Sequence, residues 1–289
     1  MPPQYADRML RVLDHIDRNP DADLSLDRLS AVAAFSKYHF HRQFSALFGM
    51  SVHRYVQLVR MQRASYQLAF RDADTVTGIA IDSGYEAPDA FARAFRRHFG
   101  QSPSRFRTTP DWQSWLAALG PLNTARSKQM HDYDLSHVTI TDFPATPVAV
   151  MEHHGDPDAI FATVQRFITW RRAAGLGRDV SATFNIFHSD PRTTPPEDFR
   201  MDVCAATDAP IAATDEAIRE GVIPAGRCAV LRVVGESENL EAAALFLYRD
   251  WLPQSGAVPR DFPLFCQRVR FFPDVPQPDT ITDLLLPIE

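Results

Sequence analysis

The sequence lacks the features of membrane, exported and disulfide-bonded proteins. No window approaches the roughly 18 uninterrupted apolar residues that a membrane-spanning helix requires, so no membrane partner is expected. The first residues, Met1 to Asp7, contain no basic segment followed by an apolar run, so no export signal is expected and the expected location is cytoplasmic. The 3 cysteines are scattered without a Cys-x-x-Cys pair, which argues against a disulfide framework and against a zinc ribbon.

The charged residues are divided unevenly along the chain. Its 289 residues, 45% hydrophobic and 23% charged, predict about two domains with substantial cores. Residues 1–110 carry 15 Lys and Arg against 11 Asp and Glu, whereas residues 111–289 carry 15 against 25. Within the first part, residues 36–110 hold 11 basic and 5 acidic side chains. This division suggests a polyanion-binding region joined to an acidic domain with a different task.

The region from residue 36 to residue 106 contains an internal repeat with an offset of 51 residues. The first copy holds Phe40, Phe44, Phe48, Gly49, Ser51 and Arg54, and the second holds Phe91, Phe95, Phe99, Gly100, Ser102 and Arg105. Phenylalanines at i, i+4 and i+8 line one face of a helix, and the glycine that follows ends it. We therefore predict two helices of the same design, with Arg42 and Arg93 at equivalent positions.

A shorter apolar-periodic segment and a tight connection precede each of these helices. The segments begin at Leu26 and Val76, and the connections begin at Ala34 and Ser83. A short helix, a turn and a second helix with polar residues opposite its core face form the helix-turn-helix arrangement. Residues 52–70 predict one long helix that joins the two motifs.

The second copy resembles the signature of the AraC/XylS transcription regulators. It runs from Ile79 to Arg107 and begins Ile-Ala-Ile-Asp-Ser-Gly-Tyr-Glu-Ala-Pro. Residues 8–108 resemble the DNA-binding domain of that family throughout. The resemblance implies an all-α double helix-turn-helix domain, here assigned to residues 1–110, with seven helices. Its third and sixth helices would enter successive segments of the major groove of double-stranded promoter DNA.

The resemblance also implies DNA contacts for individual residues. We call the third and sixth helices the reading helices. Base contacts are expected from Tyr38, His41 and Arg42 in the first of them and from Pro88, Asp89 and Arg93 in the second. Arg42 and Arg93 are the leading candidates, because a guanidinium group can donate two hydrogen bonds to guanine. Phosphate contacts are expected from Lys37, Arg96, Arg97, Arg105 and Arg107.

We expect neither a metal site nor a cofactor. His39 and His41 lie two residues apart, and this spacing places two side chains of a helix on different faces. A metal pair at these positions is therefore not expected.

Residues 111–136 are expected to form a linker with at most one short helix. They lose clear periodicity and contain Gly120-Pro121, which is typical of a connection. Beyond them, alternating segments such as Val138 to Thr141 predict strands.

Residues 137–289 repeat at an offset of about 80 residues. Trp170 matches Trp251, and Asp202 matches Asp283, both at an offset of 81. Each copy predicts a strand, a helix and two further strands, in that order. The sequence therefore predicts a multidomain protein whose second domain is α+β, built from two β-α-β-β repeats with an antiparallel sheet. A cleft is expected where the two halves meet.

Several stretches of this second domain resemble the GyrI-like effector-binding family. They occur in the family's order and begin at Phe143, Phe187, Gly221 and Leu247. The resemblance implies a small-molecule receptor, often for lipophilic or aromatic compounds, that is coupled to transcription. Some members of the family instead hydrolyse reactive small molecules.

The buried glutamate that this family uses is absent. Its usual pattern is Pro, two residues and Glu, but the chain has Pro263-Leu-Phe-Cys266. A thiol without a lowered pKa neither attracts cations nor acts as a base, so we expect cationic ligands to be disfavoured. Cys266 is either a small buried apolar residue or a nucleophile paired with His188, its expected counterpart in the first repeat. The candidate effector contacts are Trp170, His188, Trp251 and Cys266.

Two functions are compatible with this pattern. In the first, the chain is a one-component transcription regulator without catalytic residues, which binds promoter DNA and a small lipophilic or aromatic effector, with RNA polymerase as a further candidate partner. In the alternative, the same DNA-binding domain is fused to a GyrI-like hydrolase of reactive small molecules. The missing glutamate counts against the hydrolase.

Overall fold

The structure is a computed structural model that describes residues 3–127, 133–211, 217–235 and 240–289. The chain divides into two compact units. The helical unit comprises residues 1–131 with 272–278, and the sheet unit comprises residues 132–271 with 279–289. Within the described residues, no helix is both long enough and apolar enough to cross a membrane.

Eight α-helices lie in the described part of the helical unit, and the expected all-α fold is confirmed. They are α1 (Pro3–Arg18), α2 (Leu26–Val32), α3 (Lys37–Phe48), α4 (Val52–Phe70), α5 (Val76–Asp82), α6 (Pro88–Phe99), α7 (Pro103–Thr108) and α8 (Trp112–Arg126). The pairs α2–α3 and α5–α6 are the two predicted helix-turn-helix motifs. Helix α4 is the predicted long helix between them.

The two reading helices, α3 and α6, end alike but begin differently. Both stop at a glycine in the left-handed region, Gly49 with φ 73° and Gly100 with φ 72°. At the start of α3, the backbone N–H of His39 donates to Ser36 Oγ at 3.4 Å. Ala87 precedes α6 and supplies no side-chain acceptor, so α6 lacks the cap that stabilises α3.

A row of phenylalanine rings in edge-to-face and tilted contact forms the core of each motif. Phe40, Phe44 and Phe48 of α3 are buried, with neighbouring ring centroids 5.9 and 4.7 Å apart. The equivalent rings of α6 are also buried and lie 5.6 and 4.7 Å apart. Because one face of each helix is committed to this core, the polar face is left on the surface.

Residues 112–126 of the expected linker form helix α8 and pack within the helical unit. Trp115 is buried, and its Nε1 donates to Ser65 Oγ on α4 at 2.7 Å. At the other end of α8, Arg126 Nη2 donates to Asp17 Oδ1 of α1 at 2.9 Å, and Arg126 Nη1 donates to Gln62 Oε1 of α4 at 2.8 Å. These contacts fix α8 to both α1 and α4.

The sheet unit contains one antiparallel sheet of eight strands. They are β1 (Val138–Phe143), β2 (Thr146–His154), β3 (Thr183–Phe187), β4 (Arg200–Ala206), β5 (Arg219–Ile223), β6 (Gly226–Val234), β7 (Phe265–Arg270) and β8 (Ile281–Pro287). Their order across the sheet is β1-β6-β8-β7-β3-β4-β2-β5. The predicted α+β domain with an antiparallel sheet is therefore confirmed.

The strand order shows how the two repeats combine. Strands β3 and β7 form the central pair. Outward from β3 the order is β4, β2 and β5, and outward from β7 it is β8, β6 and β1, so equivalent strands of the two repeats follow one another in the same order. The outermost strand of each half comes from the other repeat, because β1 pairs with β6 and β5 pairs with β2. Each repeat thus has four strands, one more than the predicted β-α-β-β order. The additional strand of the first repeat, β1, contains the predicted strand Val138 to Thr141, whereas β5 was not predicted.

The helices of the two repeats cover one face of the sheet. The first repeat contributes α9 (Ile160–Ala173), and the second contributes α10 (Glu241–Leu245), a π-helical segment (Phe246–Trp251) and α11 (Leu252–Ser255). The helix-covered face carries two apolar clusters, one with Phe167 and the other with Trp251. The opposite face has its own cluster, which includes Phe184 and Phe265.

Candidate functional site

The exposed face of α3 presents the predicted base contacts of the first motif. Tyr38, His41 and Arg42 are all exposed. Arg42 Nη1 donates to the Tyr38 hydroxyl at 2.8 Å, and the guanidinium carbon lies 5.6 Å from the centre of the Tyr38 ring. This contact orients the guanidinium group on the surface of the helix.

The exposed face of α6 presents the equivalent residues of the second motif. Arg93 is exposed and makes no hydrogen bond or ion pair with the described residues. Pro88 occupies the first turn, where the absence of an N–H costs no intrahelical bond. Asp89 lies in the same turn, where its charge stabilises the helix N-terminus.

The predicted phosphate contacts differ in their surroundings. Arg96, Arg97 and Arg105 are exposed. Lys37 forms an ion pair with Asp27, and Arg107 donates to the Asp74 carbonyl at 2.6 Å. The first three are therefore better placed than Arg107 to meet a phosphate group.

The pseudo-twofold axis of the sheet unit passes between Asn185 of β3 and Cys266 of β7. These two residues lie opposite each other in the antiparallel ladder. They also occupy equivalent positions in the two repeats. Asn185 pairs with Val203, and Cys266 pairs with Leu284, so each residue of the second pair lies 81 positions after its counterpart in the first. The expectation that His188 is the counterpart of Cys266 is therefore wrong. The hydrogen-bond register of the strands shows that Asn185 is the residue equivalent to Cys266.

The side chains around this axis form a strip on the helix-covered face, which we call the seam. The seam consists of Thr183, Asn185 and Phe187 from the first repeat and Leu264, Cys266 and Arg268 from the second. Phe187 packs against both apolar clusters of that face, which places the seam between them. Asn185 is 6% exposed and Cys266 is 0% exposed, whereas Phe187 and Arg268 are half-buried. The middle of the expected cleft is thus packed in this conformation.

Hydrogen bonds within the seam centre on Asn185. Its Oδ1 accepts from Arg268 Nε at 3.0 Å and lies 3.8 Å from Cys266 Sγ. Burial raises the pKa of the Cys266 thiol above its usual value, despite the opposing charge of Arg268. The thiol is therefore protonated near neutral pH, which disfavours a nucleophilic role.

The opposite face of the sheet holds a separate polar cluster around Asp202. The Asp202 side chain is 3% exposed, and its Oδ2 lies 3.0 Å from His188 Nε2 and 2.9 Å from Arg219 Nη2. Glu152, on the same face, pairs with Arg200 at 2.8 Å. His188 therefore belongs to this cluster and not to the seam.

The two matching tryptophans lie on the helix-covered side. Trp251 is 6% exposed within one apolar cluster, and the half-buried Trp170 stacks on Phe167 with centroids 5.7 Å apart. Of the four predicted effector contacts, Trp170, Trp251 and Cys266 thus share a face that His188 does not. Asn185 was missed from the sequence, although the offset of 81 shared by Trp170 and Trp251 leads to it directly.

Comparison with protein families decides the assignment of the sheet unit. A model described as "GyrI-like small molecule binding domain" matches residues 136–289, which is more than half of the chain. The chain belongs to the GyrI-like family. In this GyrI-like protein a helix-turn-helix domain model also matches residues 29–109. Both resemblances seen in the sequence are therefore confirmed, and the chain combines a DNA-binding head with a small-molecule-binding domain.

Named relatives match the two parts separately. The probable transcriptional regulator YgiV of Escherichia coli K12 is 35% identical over 152 residues, which cover 52% of this chain and 95% of YgiV. The right origin-binding protein of the same strain is 30% identical over 95 residues, covering 33% of this chain and 32% of that protein. Among solved structures, the EcmrR–DNA complex is similar at a TM-score of 0.45 and 12% identity over 91% of this chain and 98% of that one.

Proposed function

We propose that this GyrI-like protein is a one-component transcription regulator whose affinity for promoter DNA responds to a small effector. The DNA-binding head would read double-stranded DNA with α3 and α6, and the sheet unit would hold a lipophilic or aromatic molecule at the seam. The observation that carries the proposal is the pairing, in one chain, of duplicated helix-turn-helix motifs with a small-molecule-binding domain.

The DNA contacts are proposed at the exposed faces of the reading helices. Arg42 and Arg93 are placed at base edges, with Tyr38, His41, Pro88 and Asp89 as their neighbours. Lys37, Arg96, Arg97, Arg105 and Arg107 are placed at phosphates. Two reading heads on one polypeptide would contact segments about 34 Å apart if the segments are one helical turn apart.

The effector contacts are proposed on the helix-covered face: Cys266 at the seam, and Trp170 and Trp251 in the two apolar clusters beside it. A ligand there touches strands of both repeats, because β3 and β7 come from different repeats. Binding would regulate DNA affinity if it favours one of two conformations of the chain. RNA polymerase is the proposed partner through which promoter binding affects transcription.

We assign no catalytic residue to this chain. The hydrolase alternative needs an activated group at the seam, and the buried, protonated Cys266 does not supply one. The regulator is proposed to act in the cytoplasm, with residues 1–110 as the DNA-binding domain and 137–289 as the effector domain. The segment 111–136 lies between them in sequence, and its helix α8 packs within the helical unit.

A thermal-shift screen of the full chain tests this function. Aromatic acids, neutral aromatics and lipophilic cations are each screened alone and again with a duplex selected by the protein from a random pool. A regulator predicts compounds whose shift changes when the duplex is present, because coupling between two sites is reciprocal. Compounds that bind with the same affinity with and without the duplex would contradict regulation by that compound class.

A further inference from the structure

The two reading helices present different chemistry at equivalent positions. The offset of 51 residues makes Asp89 of α6 the counterpart of Tyr38 of α3. It also makes Arg93 the counterpart of Arg42. Within each helix the two residues are four positions apart, which places them on the same face and one turn from each other. This face lies opposite the buried phenylalanines, and all four residues are exposed.

In the first reading helix, this pair of residues presents hydrogen-bond donors. The Tyr38 hydroxyl accepts a hydrogen bond from Arg42 Nη1 at 2.8 Å, so the hydroxyl proton remains available to a further acceptor. The guanidinium group of Arg42 has donors only. The pair therefore suits base edges that carry acceptors, such as the O6 and N7 atoms of guanine.

In the second reading helix, a carboxylate takes the place of the phenol. Among the described residues, the side chains of Asp89 and Arg93 form no hydrogen bond or ion pair, either with each other or with a neighbour. An exposed pair at this spacing stabilises a helix only slightly, so both groups are available to a ligand. An ionised carboxylate has acceptors only, whereas a guanidinium group has donors only. The second helix thus presents both kinds of group at one place on its surface.

The major groove offers few partners to a carboxylate. Two bases carry a donor there, cytosine at N4 and adenine at N6. The adenine amine lies next to the N7 acceptor of the same base, which repels a carboxylate, whereas cytosine has no acceptor beside its amine. Phosphate groups carry the same sign of charge as Asp89, so they do not compete for it. Cytosine is therefore the base that Asp89 favours.

Arg93 lies within reach of the same base pair or of an adjacent one. Four residues of helix rise about 6 Å, and successive base pairs are about 3.4 Å apart. The second helix of a helix-turn-helix motif enters the major groove with the residues near its start at the base edges, and the matched helix-turn-helix domain includes α6. Asp89 and Arg93 would then contact about two base pairs, with the guanidinium group donating to guanine.

We propose that Asp89 determines the base preference of the second reading helix: its carboxylate accepts from N4 of a cytosine while Arg93 donates to a guanine in the same or an adjacent base pair. This rests on the proposed DNA-reading function and specifies the sequence that α6 takes. At the equivalent position, the first reading helix has a phenol in place of the carboxylate. The two halves of the recognised site therefore differ, and the protein binds an asymmetric site in one orientation.

Selection of duplexes from a random pool by the full chain and its variants tests this proposal. The native chain should fix cytosine at one position by on the order of tenfold over the other bases. Asp89→Asn should move the preference at that position to adenine, because an amide accepts from N6 and donates to N7. Asp89→Ala should remove the preference there. Asp7→Asn, on the exposed face of α1, removes the same charge and should leave the selected site unchanged.

Modified bases in the selected duplex test the native chain without any substitution. Thymine and 5-methylcytosine both carry a methyl group at C5, but thymine has the O4 acceptor where cytosine has the N4 amine. Fluorescence anisotropy should therefore show on the order of tenfold weaker binding with thymine at the fixed position and little loss with 5-methylcytosine. At the guanine assigned to Arg93, 7-deazaguanine lacks N7 and should weaken binding, whereas inosine differs from guanine in the minor groove and should not.

The outcomes separate this inference from the proposed function. Equal binding of random and selected duplexes by the native chain would contradict DNA reading itself. A native chain that selects a site, with an Asp89→Asn variant that selects the same bases, would overturn the inference and leave DNA reading standing. A uniform change of affinity on every duplex in the Asp89 variants would overturn it too, because the carboxylate would then only stabilise the start of the helix. Equal losses with thymine and 5-methylcytosine would refute the contact to N4.

Discussion

Asn185 and Cys266 face each other across the β3–β7 pair while occupying the same position in the two repeats. The pseudo-twofold axis therefore passes through the position at which the family pattern places its glutamate. At this pair of equivalent positions the chain has an amide and a thiol. None of the six residues of the seam is anionic.

The three thiols are predicted to be inert in the folded protein. Cys204, Cys228 and Cys266 are all buried, and burial raises the pKa of each above the usual value. Titration with a thiol reagent at pH 8 should label no cysteine in the native chain and all three after denaturation. Rapid native labelling of Cys266 would contradict this and would restore the nucleophile alternative.

The same pKa shifts predict how stability depends on alkaline pH. A raised folded-state pKa means that the folded chain holds these protons more tightly than the unfolded chain does. The stabilisation is complete below the ordinary thiol pKa of 9.0 and declines as the pH rises above it. Denaturation midpoints measured from pH 7 to pH 10.5 should fall less steeply in Cys266→Ala than in the native sequence.

The turns of the two helix-turn-helix motifs predict opposite responses to exchanging alanine and glycine. Ala34 has φ 52°, a left-handed conformation that costs an alanine about 1 kcal/mol or more, whereas Gly84 at the matching place has φ 79°. Ala34→Gly should therefore raise the free energy of unfolding by up to about 1 kcal/mol. Gly84→Ala should lower it by about 1 kcal/mol or more, since φ 79° is strained for an alanine and the end of the Arg60 side chain would also have to shift. Denaturant titration of both variants checks the sign, and a loss in Ala34→Gly would contradict it.

The ion pair between Arg126 and Asp17 is predicted to anchor α8. The two side chains are 14% and 3% exposed, and the Tyr55 hydroxyl also donates to Asp17 at 3.0 Å. Arg126→Leu leaves a buried carboxylate without its cation and should destabilise the protein by about 3 kcal/mol. Arg18→Leu breaks the exposed pair with Asp14 and serves as the matched control, with an expected loss below about 1 kcal/mol. Equal losses in urea titrations would show that burial does not strengthen the Arg126 pair.

Local sequence patterns predicted most elements of the helical unit but not the length of α8 or its packing in this unit. Helices α4 and α5 have the predicted bounds, because their apolar spacing and their Ser51 and Thr75 caps are local signals. Gly120-Pro121 suggested a connection where α8 forms, and tertiary packing of Trp115 and Arg126 overrides that local preference.

Long-range pairing in the sheet unit was harder to predict. The period of about 80 residues revealed the duplication, but a strand sequence does not specify which half its partner comes from. The exchange of β1 and β5 between repeats was therefore missed. The equivalence of Asn185 with Cys266 was missed because the offset of 81 residues was not applied to β3 and β7. The grouping of His188 with the seam failed for the same reason, since one residue of register moves a side chain to the other face.

The base-reading claim is tested most directly by comparing a selected duplex with a shuffled duplex of the same composition. Fluorescence anisotropy at fixed salt should give an affinity ratio on the order of 10³ or more for the full chain. Arg42→Ala and Arg93→Ala should each cost about 1–3 kcal/mol on the selected duplex and change the preferred base, whereas Arg11→Ala on the exposed face of α1 should leave the ratio unchanged. Equal affinity of the native chain for both duplexes, or an equal fall on both duplexes in the Arg42 and Arg93 variants, would contradict the account.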